Sequence, residues 1–123
     1  MIVQNPVVVD HIVEQISGAE LRVYVVEIGA WNMDANFEKV VSIFGYAAIE
    51  DVVASNIRIQ EDVDNHWYRF PYYHFITAAW EGWVSYNTAD EFRLQRRAGG
   101  LFDSVNFNDT GINRGFITFW AKV

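Results

Sequence analysis

Several short runs of this sequence alternate apolar and polar residues with a period of two, which suits half-buried β-strands rather than amphipathic helices. In Asn56-Ile57-Arg58-Ile59-Gln60 the isoleucines face one way and the polar residues the other. Phe92-Arg93-Leu94-Gln95 repeats the pattern. The final run, 115–123, sets Ile117, Phe119, Ala121 and Val123 on one face and Phe116, Thr118, Trp120 and Lys122 on the other. Both of its faces can pack, so it reads as a central strand. The runs 21–28 and 39–44 read as further strands, and 75–86 as a hairpin or bent strand with Gly82 at the bulge or turn. The segment 6–16 reads as a first strand through Val7, Val8 and Val9, with a short helix after Asp10 as the alternative. Ile49, Val52 and Val53 have the spacing for one helical turn within 47–55.

Turn residues punctuate these runs at intervals of about ten residues. They are Ser17-Gly18, Gly29, Gly45, 62–65, Gly82, Asn87, Gly99-Gly100 and 109–111. Regular short strands of this kind predict an all-β protein, an antiparallel sandwich of about six to eight strands. The 123 residues fit one domain, read as 21–123, with residues 1–20 as an N-terminal arm or first strand. No low-complexity stretch or internal repeat divides the chain.

Composition narrows the function. The formal net charge of −7 opposes binding to a phosphate backbone, so nucleic acid is not expected as a partner. With no cysteine, disulfides, thiol chemistry and zinc–thiolate sites are excluded. No run approaches the ~18–20 apolar residues of a membrane-spanning helix. The first ten residues carry no basic leader and no long apolar run, so no cleaved signal peptide is read there. Aromatic residues reach 16%, an excess that favours strands and also suits contact surfaces.

Four segments hold residues with chemical potential. Glu61 to Tyr68 carries three carboxylates, an amide and an imidazole. Asp62 and Asp64 are the weak Ca²⁺ candidates there, against a plain solvated hairpin turn, because the glycine and distal glutamate of an EF-hand loop are missing. The run 66–74 is the most distinctive, with Trp67, Tyr68, Tyr72, Tyr73 and His74 as candidate binding residues. It reads either as a ridge contacting a receptor or subunit or as an edge strand whose rings cover the core. The loop 98–114 holds Asp103, Asn106, Asn108, Asp109 and Asn113, which suit tight turns. In it Arg114 is a candidate partner for Asp103 or Asp34. Arg93, Arg96 and Arg97 form a small basic cluster suited to an acidic neighbouring subunit.

Catalytic signatures are sparse. There is no Gly-x-Ser-x-Gly elbow and no P-loop, and His11, His66 and His74 lack metal-ligand spacing. No catalytic residue, metal or cofactor is expected.

Three motifs carry a resemblance. Gly29-Ala30-Trp31-Asn32-Met33-Asp34, then Gly99-Gly100-Leu101-Phe102-Asp103, then Asn113-Arg114-Gly115-Phe116 before a last strand, follow a G-x-W-x-M-D, G-G-x-F-D, N-R-G order. In this the chain resembles small β proteins encoded by phages and prophages of Bacteroidetes-type bacteria, over about residues 25–123. The motif positions are Trp31, Asp34, Asp103, Asn113, Arg114 and Gly115. The pattern is more distantly similar to the H-type lectin domain, an antiparallel sandwich that commonly trimerises and occurs on phage fibres. No sugar-binding residue is carried over from that domain. The resemblance implies a virion structural protein of a fibre, tail or capsid appendage. Such a protein is made in the host cytoplasm, forms a homo-oligomer such as a trimer, and contacts other virion proteins or a host-surface glycan. A lectin-like carbohydrate-binding module is the alternative, and a small polysaccharide-acting enzyme the second alternative.

Overall fold

A computed structural model describes residues 7–9, 15–16, 19–63 and 66–123. Among them helix is confined to two three-residue 3-10 turns, Ile49–Asp51 and Val105–Phe107. The rest is strand and loop, and every strand pairing is antiparallel. The strands are β1 (Val7–Val9), β2 (Gln15–Ile16), β3 (Ala19–Glu27), β4 (Glu38–Ser42), β5 (Val52–Gln60), β6 (Trp67–Phe70), β7 (Tyr73–His74), β8 (Ala79–Trp80), β9 (Gly82–Asn87), β10 (Glu91–Arg96) and β11 (Gly115–Lys122). Eight of them have three residues or more.

The larger sheet runs β1-β3-β11-β5-β6, with β2 added to β3, and the smaller runs β4-β10-β9. β7 and β8 form a hairpin of their own. The antiparallel sandwich expected from the alternation is therefore present. The final strand is central, bonded to β3 on one side and β5 on the other. Of the three residues whose spacing suggested a helical turn, Ile49 begins the first 3-10 turn, whereas Val52 and Val53 already belong to β5. Of the expected first strand, Val7–Val9 pairs with β3, while Asp10 and His11 lie outside the described residues.

The period of two decides which side chains are buried. Tyr24, Ile57, Ile59, Phe70, Ile117, Phe119 and Ala121 of the larger sheet meet Val41, Phe92 and Leu94 of the smaller. The Phe92 and Phe119 rings touch across the layers at 5.6 Å between centroids. Each such side chain removed from water contributes about 1.5–3 kcal/mol before chain entropy is counted. Trp31 and Met33 of the first motif are buried in the same core, as is Phe102 of the second. Those motif residues are core anchors, and Phe107 joins them from the same loop.

Among the described residues four charged side chains are buried: Glu61, Glu81, Arg96 and Arg114. Arg114 is fully enclosed. Its guanidinium donates to the carbonyls of Trp31 at 3.0 Å, Gln60 at 2.8 Å and Asp109 at 2.9 Å, and pairs with the Asp62 carboxylate at 2.9 Å. The expected partners, Asp103 and Asp34, belong to Arg96 instead. Arg96 reaches the Asp103 carboxylate at 3.5 Å and the backbone carbonyl of Asp34 at 3.2 Å. Arg114 sits across the sandwich end from them, where β5, β11 and the first motif converge.

This placement also corrects the basic cluster. Arg93 is exposed and paired with Glu38, Arg96 is buried, and Arg97 pairs with buried Glu81 at 2.9 Å. No shared cationic surface results. Gly115, beside Arg114, lies so close to β5 that a Cβ there would collide with the Arg58 carbonyl, so only glycine fits.

Replacing Arg114 leaves a buried carboxylate and three carbonyls without their donor. Breaking a buried pair in this way costs about 3–5 kcal/mol. Arg114→Met should therefore lower the urea midpoint sharply with little change in slope.

Candidate functional site

The outer face of the larger sheet is where the sequence places aromatic residues that the core does not use. Alternation turns Phe116, Thr118 and Trp120 of β11 away from the core, and Trp67 and Arg69 of the edge strand β6 do the same. Trp67 lies across from Gln60 of β5. Its ring stacks on Phe116 with centroids 6.0 Å apart and planes 24° from parallel. Trp67 stays 45% exposed, so one face of the stack is open.

A cleft of about 510 Å³ opens beside this stack. Its floor includes Trp67, Phe116, Gln60 and Glu27, and its wall is the loop 110–113. Backbone and side-chain bonds hold that wall. Asp109 Oδ1 accepts from the Gly111 amide at 2.7 Å, and Asn113 Oδ1 accepts from the Gly29 amide at 2.8 Å. Gln60 donates to the Asn113 carbonyl at 2.6 Å. Asp62 accepts from the amides of Asn108 and Asp109 while it pairs with Arg114. Asp103, Asp109 and Asn113 thus hold loop amides through their side chains, and the buried arginine anchors the wall of the cleft.

The same face carries an unusual row. Register pairs Glu27 with Phe116, Phe116 with Arg58, and Arg58 with Arg69. Arg58 and Arg69 are exposed and directly opposite one another on adjacent strands. Like charges in that position repel. Among the described residues the ion pairs are His66–Glu61, Arg93–Glu38, Arg96–Asp103, Arg97–Glu81 and Arg114–Asp62, and neither Arg58 nor Arg69 enters one.

A second surface surrounds the β7–β8 hairpin. Its tip exposes Phe75 and Ile76 at 77% and 76%, and Tyr73, Trp80, Trp83 and Tyr86 are exposed nearby in sequence. The Tyr73 and Trp80 rings meet at 5.3 Å across the hairpin. Trp80 and Tyr86 line a cleft of about 330 Å³ with Pro71, Val84 and Arg69, so Arg69 borders this surface as well. β9, the outer strand of the smaller sheet, has no charged residue from Gly82 to Asn87.

The candidate aromatic run is thus divided. Trp67 and Tyr73 face outward, whereas Tyr68 and Tyr72 pack against the core. Tyr68 meets Phe102 and Phe107 edge-on, so its ring is not offered to a ligand. His74 is partly buried, beside Tyr72, with its ring hydrogen-bonded to Thr77. Of the weak Ca²⁺ candidates, Asp62 is committed to Arg114 and to loop amides, and Asp64 lies outside the described residues. Among the described residues no cluster of three or more metal-ligating side chains forms.

Phe116, Arg58, Arg69, Phe75, Ile76 and Trp80 were not singled out from sequence as site residues. The signal for the first three was present in the alternation, which puts each on the face opposite the buried isoleucines and phenylalanines. What sequence lacks is the strand order that makes them neighbours. No family model, no curated protein and no solved structure matches the chain.

Proposed function

We propose that the protein is a non-catalytic surface module of a phage or prophage virion, assembling with copies of itself and presenting the outer face of its larger sheet. The observation that carries this reading is the β7–β8 hairpin. It projects Phe75 and Ile76 from its tip and Tyr73 and Trp80 from its sides, all exposed. Apolar side chains gathered on a projecting element are a mark of protein–protein contact. The uncharged edge of β9 adds to it, because edge strands that stay single are usually guarded by charge, proline or a bulge. The order of the three motifs supplies the virion context.

Light scattering should find a closed homo-oligomer, a trimer on the appendage reading, and a monomer at micromolar concentration would contradict it. Phe75→Ser combined with Ile76→Ser should release monomers while leaving the unfolding midpoint of the released chain within a few degrees, since neither side chain touches the core.

A second reading, saccharide binding, is favoured by the Trp67–Phe116 stack. An open aromatic face beside polar groups suits a sugar ring, which is apolar on its face and polar at its rim. Trp67→Ala should abolish saccharide binding and cost about 0.5–1.5 kcal/mol or less of stability, the worth of one aromatic pair. Calorimetric titration together with thermal unfolding separates the two effects.

A further inference from the structure

We infer that the outer-face site takes an acidic saccharide, with Arg58 and Arg69 reading the carboxylate or sulfate and the Trp67–Phe116 stack holding the ring; this rests on the saccharide-binding reading. Three observations converge. First, Arg58 and Arg69 occupy directly opposite positions on β5 and β6, are exposed, and enter no ion pair among the described residues. On a chain with sixteen acidic side chains and nine basic ones, these two adjacent arginines form a local positive patch. Their repulsion is relieved when an anion sits between them, and arginine binds carboxylate or sulfate oxygens with two parallel hydrogen bonds.

Second, Phe116 is the direct cross-strand neighbour of Arg58 and also forms part of the cleft beside Trp67. Side chains opposite one another lie about 4.5–5.5 Å apart at Cβ. A ring stacked on the aromatic pair therefore brings an acidic substituent within reach of the arginines. Third, the chemistry is graded along the row. Glu27 is three strands from Arg69, about 14 Å away at normal strand spacing. It stands on the cleft side, where hydroxyl groups of a sugar would meet it, and away from the anion position.

A nucleic-acid strand fits less well. Two arginines on a chain of net charge −7 do not offset its long-range repulsion of a polyanion. The cleft is also closed on one side by the loop 110–113 and has the size of a small-ligand site.

The test uses the whole chain, titrated by calorimetry with trigalacturonate and with its fully methyl-esterified form, which keeps the rings and removes the charge. Sulfated and sialylated trisaccharides, each against its neutral counterpart, extend the panel. At least one acidic member should bind at least about tenfold more tightly than its neutral counterpart, with affinity falling as salt rises. The double variant Arg58→Gln and Arg69→Gln, both exposed and outside the core, should erase that difference without lowering the unfolding midpoint. Equal binding of acidic and neutral members, unchanged in the variant, overturns the acidic preference and leaves the saccharide reading standing. Binding of no member overturns both.

Discussion

The buried guanidinium of Arg114 is the contact on which both the end of the sandwich and the wall of the cleft depend. It ties together the carbonyls of Trp31, Gln60 and Asp109 and the carboxylate of Asp62, so that two distant segments, at Trp31 and at 60–62, are fixed to its own loop. A fully buried cation is tolerated only when its donors are matched, and here carbonyls and a carboxylate match them. The Arg114 side chain also lies over the Phe107 ring at 5.6 Å, so it closes the polar end and caps an apolar one. Asp62, held by Arg114, receives the amides of Asn108 and Asp109. The loop 110–113 that bounds the cleft therefore continues from a segment fixed by these bonds.

The two exposed surfaces differ in kind. Around the hairpin, apolar side chains stand out with few charges, on a short two-stranded element and along an uncharged sheet edge. Such a surface is costly to leave in water and suits burial against protein. On the larger sheet, a stacked aromatic pair borders a largely apolar cleft with a few polar groups, and Arg58 and Arg69 stand beside it on β5 and β6. That mixture suits a small polar ligand with an apolar face. In the proposed reading, assembly through the first surface leaves the Trp67–Phe116 stack of the second open.

Much of the fold was legible because the period of two assigns faces directly. Ile57, Ile59, Phe92, Leu94, Ile117 and Phe119 are buried as the alternation requires. Charge partners were not legible. Arg114 pairs with Asp62 across 52 positions of sequence, a proximity created by the β5–β6 turn and the long loop before β11. Local spacing carries no trace of it. The aromatic run was legible as a feature, and its division into inward Tyr68 and Tyr72 and outward Trp67 and Tyr73 follows the same period of two. The Arg58–Arg69 pair was visible only as two polar positions in two strands. Their adjacency is a matter of register, which sequence alone leaves open.

The central claim is that one aromatic surface is used for assembly while the other stays open. Hydroxyl-radical footprinting of the protein at its assembled concentration, read by mass spectrometry at individual tryptophans, tests it most directly. Trp67 and Trp80 are similarly exposed in the single chain, at 45% and 54%. The account predicts that Trp80 is protected on assembly and deprotected in the Phe75→Ser, Ile76→Ser variant, while Trp67 reacts freely in both. Protection of Trp67 with Trp80 left reactive, or equal reactivity of both at every concentration, would contradict it.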